Sequence, residues 1–142
     1  MFLGEHRHSL DDKGRVILPV KFRKQLEDGA VVTIGQDGCL CVYTDDEWQQ
    51  VALEAREHSK LGAKERQGAR SLFAGASEIV PDRQGRIAIP ANLRQFAGLE
   101  REVVVTGAFS RVEIWDAARW AVRNAEGAAS LAEAVDLPAF GM

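Results

Sequence analysis

Cysteine is almost absent from this chain of 142 residues: Cys39 and Cys41 are the only two, one residue apart. On a strand they would point the same way, which is poor geometry for bridging each other, so no disulfide framework is expected. No apolar run approaches the roughly 18 residues of a membrane span, and the start lacks a signal-peptide pattern. A reducing cytoplasm is the expected compartment. The phosphate-loop spacing Gly-x-x-x-x-Gly-Lys is missing, and no serine stands in a nucleophile-elbow pattern. An excess of positive charge is lacking too. With 18 Lys and Arg against 21 Asp and Glu, the net charge is −3, which disfavours a uniformly basic nucleic-acid binder.

What charge there is, however, is segregated. Residues 7–24 carry a local +4 and residues 82–94 a local +2, which leaves −9 for everything else. Affinity for phosphate follows local potential, so the acidic remainder does not exclude DNA. It would weaken a single subunit, which favours several subunits binding together. Hydrophobic residues at 46% and charged residues at 27% place the chain with soluble globular proteins.

An internal repeat organises the sequence. Asp11-Asp-Lys-Gly-Arg-Val-Ile-Leu-Pro19 returns 71 residues later as Asp82-Arg-Gln-Gly-Arg-Ile-Ala-Ile-Pro90, and Phe22-Arg23 returns as Leu93-Arg94. One added residue makes the shift 72, which aligns Val31–Gly35 with Val103–Gly107, Leu40–Tyr43 with Val112–Trp115, and Trp48 with Trp120. Each copy reads as short strands around a small helix. Arg15–Leu18 and Arg86–Ile89 start after a glycine and stop at a proline. Pro19 and Pro90 suit the first position of helices over Val20–Leu26 and Ala91–Ala97, which Gly29 and Gly98 would end. Val31–Ile34 with Leu40–Tyr43, and Val103–Thr106 with Val112–Trp115, read as hairpins. Thr44-Asp-Asp-Glu47 is a capping box for a helix whose face carries Trp48, Val51, Ala52 and Ala55. Gly62 interrupts it, and Ala63–Phe73 resumes as helix. Asp116 caps another helix, Ser130-Leu-Ala-Glu133 offers a further cap, and Leu137–Met142 reads as a loosely held tail. The class is α+β, with two sets of strands interlocked as one pseudo-symmetric unit.

The chemistry concentrates in Asp-x-x-Gly-Arg followed by an apolar strand and a proline. Glycine before Arg15 and Arg86 suggests a positive φ or a close backbone approach. Asp11 and Arg15, like Asp82 and Arg86, are four apart and can meet across a tight turn. A carboxylate would then fix the guanidinium plane, and an oriented arginine can donate twice to guanine O6 and N7. Lys13, Arg83, Lys21, Arg23 and Arg7 would serve phosphates. The same Asp–Arg pairs can also simply brace their turns. Two copies in one chain favour recognition, because protein symmetry tends to mirror site symmetry. Catalysis is disfavoured: each aspartate has a basic neighbour, which lowers its pKa and removes a neutral-pH proton donor. His6, His8, Cys39 and Cys41 could supply four metal ligands, but the usual cysteine spacing is absent, and no metal or cofactor is expected. Trp48 and Trp120 are expected to pack helices rather than stack on bases.

These residues resemble the MraZ family of bacterial regulators, tandem-repeat members of the SpoVT-AbrB superfamily. The likeness runs from Met1 to about Trp120. It is carried by Met1–Gly4, Leu10–Arg15, Pro19, Phe22-Arg23, Leu40–Tyr43 and Trp48. It continues in Leu72–Glu78, Asp82–Arg86, Ile89-Pro90, Leu93-Arg94, Ala97–Leu99 and Glu113–Trp115. The resemblance implies a swapped-hairpin β-barrel made of two AbrB-like motifs, with attached helices. It divides the chain into a first motif (1–52), a helical connection (53–76), a second motif (77–120) and a C-terminal helix and tail (121–142). It also implies a homo-oligomeric ring in the cytoplasm, associated with the nucleoid, that binds double-stranded DNA at G-rich direct repeats. These lie upstream of the division and cell-wall gene cluster, with its own gene included, and the protein acts as a repressor. Asp11, Arg15, Asp82 and Arg86 would form the DNA-facing surface. Gln84 stands where the first copy has Lys13, so the second motif is less basic. The resemblance assigns no role to His6-Arg7-His8 or to the C-terminal end. Two other readings stay open: a scaffolding ring without a nucleic-acid role, and an antitoxin-like protein with a toxin bound at its helical end. The short tail and the duplication within one chain disfavour the latter.

Overall fold

A computed structural model describes residues 1–134; the tail over Leu137–Met142 lies outside them. The described chain folds into eight strands and five α-helices. The first repeat contributes β1 (Glu5–Ser9), β2 (Arg15–Ile17), α1 (Val20–Leu26), β3 (Ala30–Ile34) and β4 (Leu40–Thr44). α2 (Asp45–His58) and α3 (Ala63–Gly75) then lead to the second repeat, β5 (Ser77–Ile79), β6 (Arg86–Ala88), α4 (Ala91–Ala97), β7 (Glu102–Gly107) and β8 (Val112–Asp116). α5 (Ala117–Glu133) follows.

The repeats exchange strands. One antiparallel sheet runs β1-β7-β8-β4-β3-β5, so the first strand of each repeat pairs with the hairpin of the other. β2 and β6 form a separate two-stranded ladder. The hydrogen bonding thus divides into a six-stranded sheet and a covering ladder rather than one closed cylinder. The two ladders between equivalent strands, β2–β6 and β4–β8, obey a pseudo-twofold. Val16 faces Ile87, its equivalent at a shift of 71, and Cys41 faces Glu113, its equivalent at a shift of 72.

Alternation along each strand produces two apolar layers. Val32, Leu40, Val42, Val103, Val105, Val112 and Ile114 face an inner core closed by Val16, Leu18, Ile87 and Ile89 and by Phe22, Leu26, Leu93 and Ala97 from the short helices. On the other face Cys41, Tyr43, Val104 and Trp115 pack against Trp48 and Val51 of α2 and against Ala117 and Trp120 of α5. Trp48 lies 5.9 Å from Tyr43 and Trp120 lies 5.7 Å from Trp115, centroid to centroid, so both tryptophans pack helices as expected. Burial on both faces explains why Val103-Val104-Val105 shows no apolar–polar alternation.

The structure also amends several readings. Pro19 and Pro90 occupy the N-cap, one residue before the expected position, with extended ψ of 138° and 146°. A proline constrains the residue before it and fixes its own φ, but its ψ is free to stay extended, so the helix starts one residue later. Thr44 caps α2 by accepting from Glu47 N at 3.2 Å, and Asp116 caps α5 by accepting from Arg119 N at 3.1 Å. Ser130 starts no new helix, because α5 continues through it to Glu133. The repeat alignment shifts as well. Strand register equates Thr33 with Thr106, 73 residues apart, and not Gly35 with Gly107. Both threonines are the buried polar residues of their strands, and each hydroxyl donates to a carbonyl, Leu72 O at 2.7 Å and Gly4 O at 3.1 Å. Two residues are therefore added after the short helix, and one is removed in the hairpin turn.

Phe22 sits deep in the inner core: it is 1% exposed, and its ring meets Phe2 edge-on at 5.3 Å. Replacing Phe22 with alanine is expected to cost about 3–5 kcal/mol, read as a lower denaturant midpoint with an unchanged slope.

Candidate nucleic-acid interface

The two Asp-x-x-Gly-Arg segments form nearly identical closed turns. Asp11 N donates to Arg15 O at 2.9 Å and Gly14 N to Asp11 O at 3.0 Å. Asp11 Oδ1 accepts from the backbone N–H groups of Lys13 (2.9 Å) and Arg15 (2.8 Å), while Oδ2 accepts from Arg15 Nε at 2.7 Å. In the second copy Asp82 Oδ1 accepts from Gln84 N and Arg86 N, both at 2.9 Å, and Oδ2 from Arg86 Nε at 2.8 Å. One carboxylate thus holds both the backbone of the turn and the guanidinium. Anchoring through Nε leaves the four Nη hydrogens of each arginine free of this clamp.

The β2–β6 ladder sets where these arginines point. Arg15 pairs with Ala88 and Arg86 with Ile17, flanking the buried Val16–Ile87 pair. Cross-strand partners share a face, so Arg15, Ile17, Arg86 and Ala88 all project away from the core. Standard strand spacing puts the two arginine Cα atoms about 8 Å apart. Lys13 and Arg83 stand exposed in the turns. Lys21 is exposed on α1, and Arg7 is exposed on the outer side of β1. Arg23 does not stand free. Its Nε donates to Leu18 O at 2.9 Å, and its guanidinium lies over the turn of the opposite repeat.

That contact is reciprocal. Arg23 covers Gly85, and Arg94 covers Gly14 while donating from Nη1 to Ile89 O. A Cβ on Gly85 would sit 2.7 Å from Arg23 Cζ, and one on Gly14 would sit 2.6 Å from Arg94 Cζ. Both glycines also have positive φ, 73° and 77°. The two reasons weighed for glycine from sequence therefore hold together. Each glycine carbonyl further accepts from the other repeat, Gly85 O from Leu18 N at 2.8 Å and Gly14 O from Ile89 N at 3.0 Å. Sequence reading aligned Arg94 with Arg23 but gave it no task. Its signal was the matching position behind the proline, and its target across the repeat interface has no local signature.

The carboxyls of Asp11 and Asp82 are held below the usual aspartate range. The largest cause is the N–H of Arg15 or Arg86, followed by the guanidinium hydrogen bond, the N–H of Lys13 or Gln84, and the arginine charge. The expected lowering is there, but backbone donors lead it rather than charge. The histidine–cysteine ligand set is not assembled. His6 and His8 lie on β1, separated from β4 by two strands, and the metal-capable group among the described residues is Cys39, Cys41 and Glu113.

Two outcomes test this geometry. Gly85→Ala is expected to destabilise by at least about 1–2 kcal/mol from backbone strain alone, and more from the displaced Arg23. Gly68→Ala, on an open face of α3 with nothing within 4 Å, is expected to gain roughly 0.5–1 kcal/mol; paired thermal melts read both. Because the folded-state pKa values of Asp11 and Asp82 are depressed, their stabilising contribution is complete above the ordinary carboxylate range. It is lost as pH falls through the depressed values. Carboxyl titration by NMR should place both midpoints below the ordinary aspartate range.

The sequence matches the family profile described as "MraZ protein, putative antitoxin-like" over residues 1–70 and 72–136. A protein of Paenarthrobacter aurescens named "Transcriptional regulator MraZ" is 46% identical over 142 residues, covering 99% of each chain. Proteins of the same name from Cutibacterium acnes and Kocuria rhizophila are 49% and 51% identical over 120 residues, 84% of each chain. With its profile matched in both repeats and relatives near half-identical along most of its length, this chain belongs to the MraZ family.

Proposed function

We propose that this chain is a transcriptional regulator that reads DNA with its paired Asp-x-x-x-Arg turns. The observation that carries the reading is the placement of Arg15 and Arg86 on one outward face, each clamped at Nε with its Nη edge directed away from the clamp. A guanidinium held this way has lost most of its rotamer freedom before it meets a base, so less is lost on forming two bonds to guanine. Lys13, Arg83, Lys21 and Arg7 contribute phosphate contacts, and Arg23 does so only through its Nη groups. The preferred sites are G-rich direct repeats upstream of the division and cell-wall gene cluster, its own gene included, and binding represses. A homo-oligomeric ring would gather several weakly basic faces along one duplex, offsetting the net charge of −3.

Fluorescence anisotropy with labelled duplex from upstream of the protein's own gene tests this. Arg15→Ala and Arg86→Ala are each expected to weaken binding about 5- to 150-fold, with little change on scrambled duplex. Lys13→Ala should weaken both duplexes alike and reduce the log–log salt slope by about 0.9. A wild-type protein that cannot tell its own upstream DNA from scrambled duplex overturns the reading. An Arg15→Ala protein that loses assembly, measured by sedimentation, points to the scaffolding role instead.

A further inference from the structure

The pseudo-twofold that pairs the repeats brings equivalent positions face to face, and on the outer layer those positions have diverged. Cys41 faces Glu113 across β4 and β8. Two residues earlier in each copy stand Cys39 and Arg111, also equivalent at the shift of 72. The axis therefore gathers two thiols from one repeat and an acid–base pair from the other. Both cysteines are free and buried, 1% and 3% exposed. The two sulfurs and a Glu113 oxygen lie within 4.8 Å of one another. Gly35 lines the same space: a Cβ there would stand 2.8 Å from both Sγ atoms.

We propose that Cys39, Cys41 and Glu113 form a site for a thiophilic divalent cation of the zinc class, tying the two repeats together at their symmetry axis. Sulfur with one carboxylate oxygen is a donor set that selects such an ion over calcium or magnesium. Three protein ligands leave one position for water. Tetrahedral zinc wants sulfur about 2.3 Å and oxygen about 2.0–2.2 Å away, so the three donors need only draw inward. The outer shell is already in place. Glu113 Oε2 accepts twice from Arg111, from Nη2 at 2.8 Å and from Nε at 3.0 Å, while Oε1 accepts only from Trp115 Nε1 at 3.0 Å and keeps a lone pair for the ion. Charge balances as well: two thiolates, one carboxylate, Arg111 and a divalent cation sum to zero, with both thiol protons released to solvent. Entry is open on the Arg111 side, whose side chain is 38% exposed. The x-one spacing that argued against zinc in the sequence is offset by a third ligand from another strand. This inference is independent of the DNA-binding reading.

The test is titration of the metal-free full-length protein with Co2+, followed by displacement with Zn2+. Expected are one ion per chain, a sulfur-to-cobalt charge-transfer band, and a higher melting temperature with Zn2+. Cys41→Ala should weaken binding more than about 100-fold, beyond an outer-shell change, and Glu113→Gln about 10-fold or more. Gly35→Ala should also weaken it, by crowding both sulfurs. Because buried variants can unfold, the wild-type protein supplies a second reading: Zn2+ should protect both thiols from alkylation. Absence of the charge-transfer band in folded wild type, or unchanged binding in folded Cys41→Ala or Glu113→Gln, overturns the site.

Discussion

Everything in this molecule depends on an arginine from one repeat lying over a glycine turn of the other. Arg23 covers Gly85 and Arg94 covers Gly14, while the glycine carbonyls accept N–H groups from Leu18 and Ile89. These contacts join the ends of β2 and β6 into a unit that neither repeat could form alone. The arginines proposed to read DNA, Arg15 and Arg86, follow directly on those glycines in the chain. Their orientation is thus inherited from the join between repeats. The aspartates complete the arrangement from the other side, fixing turn backbone and guanidinium with one carboxylate.

Duplication explains the economy of the design. A pseudo-twofold makes each inter-strand pairing across the axis a meeting of equivalents, Val16 with Ile87 and Cys41 with Glu113. Where equivalents remain alike, as in the two turns, the molecule presents the same device twice. Where they differ, the axis combines unlike groups that no single repeat contains. Lys13 against Gln84 makes the two turns electrostatically unequal. Cys39 and Cys41 against Arg111 and Glu113 create a polar cluster inside an otherwise largely apolar outer layer.

Much of this was legible in the sequence, and what was hidden shares a cause. Local signals located the turns, the short helices, the hairpins, the Thr44 cap and the glycine before each arginine, because turn geometry and capping are decided within a few residues. The residues alone indicate the strand exchange only as an interlocking of two sets, and the swapped hairpin comes from the family resemblance. Glu5–Ser9 has no strong strand pattern, and its partner Glu102–Thr106 lies nearly a hundred residues away. The true repeat register was also hidden. Matching Gly35 to Gly107 suited the letters, but Thr33 and Thr106 share the structural position, each burying a hydroxyl on a distant carbonyl. Arg23 read as a free phosphate contact because its partner is a backbone carbonyl, and backbone carries no mark in sequence. Arg94 was overlooked for the same reason.

The exchange of first strands also dictates an order of assembly. During synthesis, β1 cannot find β7 until residues 102–106 have emerged, and β3 lacks its outer neighbour until β5 appears. At bacterial and eukaryotic elongation rates of about 5–20 residues per second, the first strand waits roughly 5–20 s without its partner. A waiting strand of apolar residues would invite pairing with neighbouring nascent chains. Glu5-His-Arg-His-Ser9 is polar throughout. Its composition suits a segment that must stay soluble and unattached until the second half of its own chain arrives.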